Sequence, residues 1–316
     1  MKKQKQTTGG FRTSIGGQAL IEGILMQGPE KRAIVVRSPE GLVTKVEEKH
    51  AVKEKYPILG WPLIRGVVNF LDSLITGMRA ITYSADFFPE DEEAEPSKFD
   101  QWLEKRLGSE KLEQAVIYLA VVLGVCFAIG LFILLPTFLV GLVRPIHDNY
   151  MLRSLFEGIL KIIIFLIYLW ACSRMKDIHR VFMYHGAEHK TIFCYEKGLE
   201  LTVENVRPQS RFHPRCGTSF LFIVVIISVI AGTLIHATNT FARIGLRLLL
   251  LPVVVAVSYE CLKWAGRHDN TLSRILSAPG KALQRLTTAE PEDSLIEVAI
   301  EALRLVLPSE EGSDVW

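Results

Sequence analysis

Four long apolar runs constrain this chain more than any other feature of its 316-residue sequence. They cover roughly 115–142, 152–173, 219–237 and 244–265, and each is close to the ~20 apolar residues that a transmembrane helix requires. We therefore predict a membrane α-helical fold with four transmembrane helices, in a membrane domain over 115–265. Charged residues are rare in these runs, although Glu157 and Lys161 lie one helical turn apart in the second and could pair there.

The orientation of the predicted spans follows from the charges of the loops that connect them. The connection 174–218 contains eight lysines and arginines, whereas 143–151 and 238–243 contain only Arg144 and Arg243. Loops rich in lysine and arginine stay on the cytosolic side. We therefore place the loop 174–218 and both termini in the cytosol of a bacterial cell, with the spans in its plasma membrane.

The N-terminal part predicts a small cytosolic module rich in strands. After a flexible tail over 1–13, the module covers 14–50, with strands expected at 33–37 and 42–46. The four residues between them, Ser-Pro-Glu-Gly, are typical of a tight turn, because proline presets one backbone angle and glycine tolerates positive φ.

The segment 51–88 predicts an amphipathic helix at the membrane interface. Arg65, Asp72, Arg79 and Asp86 recur every seven residues and form a polar stripe on an otherwise apolar helix. A fifth span is disfavoured, because a central aspartate costs about 3 kcal/mol in the bilayer.

The remaining connections are predicted to lie outside the membrane. An acidic linker and a pre-span helix occupy 89–114, and the cytosolic C-terminal segment covers 266–316. Within that segment, 293–307 predicts a helix that docks on the N-terminal module.

The loop 174–218 carries the residues that point to chemistry. His185 and His189 lie four residues apart on one helical face, with Glu188 beside them. This His-x-x-Glu-His spacing is the inverted zincin pattern, in which two imidazoles bind a divalent metal and the glutamate acts as general base. Zinc is the expected ion. Buried histidines in a structural polar network are the alternative interpretation.

Further metal ligands are expected where other spans reach the same side. Glu260 lies near the cytosolic end of the fourth span, and His213 and Cys216 precede the third. Glu260 could instead pair with Lys263 or a loop arginine. Cys216 could be an activated thiolate, a soft metal ligand or a residue of the helix cap without chemistry. The five cysteines include no Cys-x-x-Cys pair and imply no disulfide framework.

Basic residues of the same loop suggest an anion-binding role. Lys190, Arg211 and Arg215 could contact a phosphate or an anionic lipid headgroup, or could simply set the orientation of the loop. The formal net charge of +2 gives no large field for nucleic acid, so no nucleic-acid partner is expected.

Four segments resemble a known bacterial family over nearly the whole chain. They are Gly16-Gly17-Gln18-Ala19-Leu20-Ile21-Glu22-Gly23, Tyr184-His185-Gly186-Ala187-Glu188-His189-Lys190, His213-Pro214-Arg215-Cys216-Gly217-Thr218-Ser219 and Arg285-Leu286-Thr287-Thr288-Ala289-Glu290-Pro291. The chain resembles the YqhQ-type integral membrane proteins, which are described as predicted metal-dependent enzymes of unknown function. The resemblance implies roles for His185, Glu188, His189, His213 and Cys216.

Three functions fit the pattern. The first is a membrane-embedded, metal-dependent hydrolase that acts at the cytosolic leaflet on a lipid-like or membrane-protein substrate. The second is a non-catalytic accessory or scaffold factor for membrane-protein biogenesis, whose partners would be the lipid bilayer and other membrane proteins or a translocation complex. A transporter ranks last, because the spans carry few polar residues near their centres and show no inverted repeat.

Overall fold

A computed structural model of the protein describes residues 11–49, 56–88, 109–143, 150–235, 239–268, 270–310 and 312–315. The predicted tail up to residue 10, and residues 89–108 of the segment 89–114 predicted as an acidic linker and pre-span helix, lie outside the described residues. The strands are β1 (Gly16–Leu20), β2 (Gly23–Gln27), β3 (Lys31–Ser38) and β4 (Gly41–Glu48). The described α-helices are α1 (Ile64–Ala85), α2 (Ser109–Ile129), α3 (Leu135–Gly141), α4 (Tyr150–Ser173), α5 (Lys176–Glu196), α6 (Val203–Val206), α7 (Gly217–Thr233), α8 (Thr240–Arg267), α9 (Thr271–Thr287) and α10 (Asp293–Leu305).

The four strands form one antiparallel meander in the order β1-β2-β3-β4. The predicted turn joins β3 to β4, with Ser38 opposite Gly41, and Gly41 has a φ of 135° that favours glycine. The predicted strand-rich module is therefore confirmed. The sheet is larger than the two strands expected, because β1 and β2 come from the glycine-punctuated stretch before them.

Both faces of the sheet are covered by helices. Alternate residues of β2 and β3, such as Ile24 and Val35, pack with α5 and α10 in one core, while Leu25 and Ile34 face Ala80 of α1 in a second. Side chains of a strand alternate between its two faces, so a continuous apolar run is the pattern of a strand buried on both sides. The terminal helix α10 packs against β2 and β3, where the sequence placed it.

Helix α1 lies against the sheet and against two apolar helices. Its Gly66 approaches Ala256 and Tyr259 of α8 closely, and Phe70 packs on Phe220 of α7 with ring centroids 5.7 Å apart. Its apolar face, including Leu71 and Leu74, stays exposed. The amphipathic helix expected within 51–88 is thus present at Ile64–Ala85.

The chain divides into two compact units. The first, within 1–88, 168–227 and 251–316, holds the sheet, α1, α5, α9 and α10, with parts of the apolar helices. The second, within 89–167 and 228–250, consists of apolar helical segments.

Among the described residues, three helices are long and apolar enough to cross a membrane, at Tyr118–Gly141, Met151–Ser173 and Phe241–Arg267. The first of these contains one π-helical turn at Gly130–Leu134. This turn ends two residues before Pro136, which lacks the N–H that a regular helical turn requires. The run predicted as a span at 219–237 corresponds to the shorter α7, with 17 residues.

A buried ionic network holds the second unit together. The carboxylate of Glu157 on α4 accepts hydrogen bonds from Arg153 (3.2 Å), Arg243 (3.3 Å) and Arg247. Lys161, which the sequence places within reach of Glu157, donates instead to Ser228 Oγ at 3.1 Å. The glutamate therefore binds arginines from two helices, whereas the lysine one turn away binds a serine.

Candidate metal centre

Helix α5 passes through the core of the first unit and carries both candidate histidines. From Tyr184 to Ile192 every residue except His185 is buried, so polar side chains on this stretch must find partners inside the protein. His185 and His189 lie on one face with their ring centroids 4.4 Å apart.

Cys216 completes a group of three metal-ligating side chains. The ligand atoms of His185, His189 and Cys216 all lie within 4.8 Å of one another, and His185 Nε2 lies 3.1 Å from Cys216 Sγ. Cys216 directly precedes α7, so the third member comes from a part of the chain 27 positions beyond His189.

Backbone carbonyls orient both imidazoles. His185 Nδ1 lies 2.8 Å from the Thr287 carbonyl oxygen, and His189 Nδ1 lies 2.6 Å from that of Arg211. A carbonyl can only accept, so each Nδ1 carries a proton and, in the neutral ring, each Nε2 keeps a lone pair, which in His185 faces Cys216 Sγ. Metal-binding histidines are held in the same way, with the non-ligating nitrogen donating to an oxygen.

The carbonyls are positioned by interactions between α5, α9 and the loop before α7. The Gln284 side chain accepts from His213 N and donates to His213 O, both at 2.7 Å. Arg211 donates to Thr288 O at 3.0 Å, and Ala289 N donates to Phe182 O at 2.8 Å. The bonds of Gln284 and Arg211 attach α9 and its C-terminal end to the loop before α7, and the bond of Ala289 attaches the segment after α9 to α5.

Gly186 allows this attachment because it has no side chain. A Cβ atom at this position would lie well inside van der Waals contact with the carbonyl oxygen of Ala289. The close approach brings the end of α9, including Thr287, next to His185.

Glu188 lies beside this group of three side chains without joining it. It is buried, and its Oε1 accepts a hydrogen bond from Gly17 N of β1 at 2.9 Å. Burial raises the pKa of Glu188, while His185 and the Gly17 N–H oppose the shift. A buried carboxyl group with a raised pKa is suited to proton transfer.

His213 belongs to a neighbouring network rather than to the ligand group. Its Nε2 lies 3.7 Å from Glu196, which also binds Arg215 and accepts from Thr13 N. Burial lowers the pKa of His213 to about 4, so this ring is neutral at physiological pH. Its centroid lies 5.5 Å from that of His189.

Glu260 lies away from the ligand group and binds Arg65 of α1. Arg65 Nε donates to its carboxylate at 2.7 Å, and Leu63 N donates at 3.3 Å. The structure therefore gives Glu260 an arginine partner, as in the alternative interpretation, but the arginine comes from the amphipathic helix.

The three basic residues considered for anion binding have partners inside the protein. Lys190 binds Glu290 and the Arg207 carbonyl, Arg211 binds the Thr288 carbonyl, and Arg215 binds Glu196. The side chains of Lys190 and Arg215 are only 5% exposed.

The comparisons with known proteins agree with the resemblance seen in the four segments. The family model described as "Protein of unknown function (DUF1385)" matches residues 61–309. The chain belongs to this family. It is 35% identical over 303 residues to "Uncharacterized protein YqhQ" of Bacillus subtilis (strain 168). The alignment covers 95% of this chain and 94% of the relative. No solved structure matches it.

Several site residues of this family member have no metal-binding pattern around them in the sequence. Gly17 binds Glu188 through its N–H, Glu22 binds Arg180 and Tyr184, and Thr287 supplies a carbonyl oxygen. The signal that could have found them is the resemblance itself, since they belong to the first and last of the four segments and converge on α5.

Proposed function

We propose that this protein is a four-span membrane protein that binds zinc through His185, His189 and Cys216 and uses it for hydrolysis. The observation that carries the proposal is the group of three ligand atoms within 4.8 Å, with both histidine Nδ1 atoms held by carbonyl oxygens. This arrangement presents two Nε2 lone pairs and one sulfur to a common point.

The donor set suits a catalytic rather than a structural zinc. Structural sites have four protein ligands, whereas catalytic sites have three, with sets such as three His, two His with one Glu, or two Cys with one His, and keep the fourth position open. Zinc bound in such a site activates water and polarises carbonyl or phosphoryl groups. The nearest additional donors, Glu188 and His213, have protein partners.

Glu188 is the residue that we propose to move the proton. It follows His185 by three residues and precedes His189, so the helix places its carboxylate beside the ligands. The Gly17 N–H holds one of its oxygens, and its raised pKa favours proton acceptance at neutral pH.

In the proposed membrane arrangement, α7 is a fourth span in addition to the three longer helices. Its 17 residues make a helix of about 26 Å, slightly shorter than the ~30 Å hydrocarbon core. Four spans place both termini and the loop 174–218 on one side, and the positive-inside rule makes that side the cytosol of a bacterial plasma membrane. A site there has access to lipid-like or membrane-protein substrates.

Metal analysis tests the ligand group directly. We expect the purified protein to contain close to one zinc per chain by inductively coupled plasma mass spectrometry. His185→Ala, His189→Ala and Cys216→Ser should each lose most of it, because two protein ligands bind zinc far more weakly than three. His179→Ala, on the exposed surface of the same helix, is the matched control and should keep the metal. Zinc retained by all three ligand variants would contradict the assignment.

Glu188→Gln separates a hydrolase from a metal-stabilised scaffold. We expect this variant to keep its zinc, since Gln preserves the acceptor for Gly17 N, but to lose activity by about 10²-fold or more. Products released from isolated membranes by wild-type and variant protein would be compared by untargeted mass spectrometry. Identical product profiles, with or without turnover, would eliminate the proposed role of Glu188 in hydrolysis.

A further inference from the structure

A cavity lies between α1 and the outer face of the sheet, away from the metal centre. It has a volume of about 180 Å³, a floor of apolar β2 and β3 residues, and a polar lining that includes Arg32, Lys45, Glu47, Thr76, Arg79 and Tyr83. The cavity belongs to the first unit, so its walls are parts of one compact body.

The cavity wall carries more positive than negative charge. Lys45 pairs with Glu47 at 2.9 Å, and Arg32 lies 3.5 Å from Asp72 at the edge of the cavity. Arg79 is exposed and has no ion-pair partner among the described residues. Arg32 Nε is buried and, within the described part of the chain, has no hydrogen-bond acceptor. An anion in the cavity would supply the exposed Arg79 with a counter-charge.

The helix that forms one wall also presents an apolar face to the surroundings. Leu71, Leu74 and Ile75 are each about half exposed, although α1 packs its opposite side on the protein. Arg79 follows Ile75 by four residues, so the basic edge of the cavity lies beside this apolar face on the helix surface.

Contacts of α1 attach it to a helix that we propose to span the membrane. Arg65 and Asn69 bind Glu260 and Tyr259 near the end of α8, a helix apolar enough to span a bilayer. A helix anchored beside the end of a span, with one face apolar and exposed, lies in the plane of the interface. Acyl chains would then contact its leucines, and a headgroup would lie at the level of the cavity.

From this geometry we infer that the cavity binds the phosphate of an anionic membrane phospholipid. Arg32, Lys45 and Arg79 supply the positive charge, and the exposed face of α1 holds the acyl chains. The inference rests on the membrane-spanning part of the proposed function and is independent of the metal centre.

Lipid retention tests the site with the full-length protein. Native mass spectrometry would measure phosphatidylglycerol bound to protein purified in neutral detergent, in competition with phosphatidylcholine. We expect Lys45→Gln/Arg79→Gln to reduce relative phosphatidylglycerol affinity by about thirtyfold, from the typical contribution of two basic side chains at an anionic surface. The matched control is Lys281→Gln/Arg285→Gln, which removes two exposed cations from α9.

Three results would overturn the inference. The first is equal phosphatidylglycerol binding by the wild type and Lys45→Gln/Arg79→Gln. The second is an equal loss of binding in the α9 control. The third is binding of inorganic phosphate to the protein without any binding of phosphatidylglycerol. Brominated phosphatidylglycerol gives a second readout of acyl chains along the apolar face, because Trp61, three residues before α1, is 60% exposed. The brominated lipid should quench the part of the tryptophan fluorescence that is absent from Trp61→Phe. Zinc content measured on the same samples reports separately on the proposed function.

Discussion

Glu157→Gln is expected to destabilise the protein by about 3–5 kcal/mol, the typical cost of removing one partner from a buried ion pair. Glu157 is 1% exposed and is the carboxylate that Arg153, Arg243 and Arg247 share. A neutral amide leaves three guanidinium groups close together with no described counter-charge. The charges then repel each other in a medium that screens them poorly.

The measurement is reversible unfolding of the purified protein in mixed micelles with increasing sodium dodecyl sulfate. Lys161→Gln is the matched control, because it removes a charge one helical turn from Glu157. Among the described residues, the amine of Lys161 binds only Ser228 Oγ. We expect it to cost less than half as much as Glu157→Gln. Equal costs would mean that Glu157 and Lys161 stabilise each other, as their spacing alone suggests.

Gly186→Ala is expected to reduce zinc affinity by about 10–100-fold, the typical effect of disturbing the groups that orient metal ligands. The added methyl group would collide with the Ala289 carbonyl, a backbone atom that cannot rotate away. Either α5 or the segment after α9 must move, and Thr287, which orients His185, lies two residues before the collision.

Competition with a zinc chelator would measure this affinity. Gly124→Ala is the control, since a Cβ there meets no atom within 4 Å and alanine favours helix. Unchanged zinc affinity in Gly186→Ala would show that the carbonyl of Thr287 does not determine the orientation of His185 at the metal.

The local patterns predicted those parts of the fold whose cause lies in neighbouring residues. The long apolar runs, the turn at Ser38–Gly41 and the polar stripe of α1 each reflect interactions a few residues apart. The strands β1 and β2 escaped prediction because glycine is a weak signal for a strand. Their glycines serve close approach instead, as Gly17 does beside Glu188.

The candidate site likewise has a part that local spacing predicted and a part that it did not. The four-residue spacing placed His185 and His189 on one helical face, and this requires only the helical repeat. The choice between Cys216, His213 and Glu260 as a third ligand depended on distances between segments far apart in sequence. Local spacing contains no information about such distances, and Glu260 binds Arg65 while His213 faces Glu196.

By itself, the sequence determined the apolar helices, the strand-rich module, the amphipathic helix and the pair of histidines, because hydrophobic period and turn chemistry act over a few residues. Only the tertiary structure decided which cysteine meets those histidines, which carbonyls orient them and which arginines share Glu157. Those contacts arise when buried polar groups from distant segments must satisfy one another, and the solution depends on how the whole core packs.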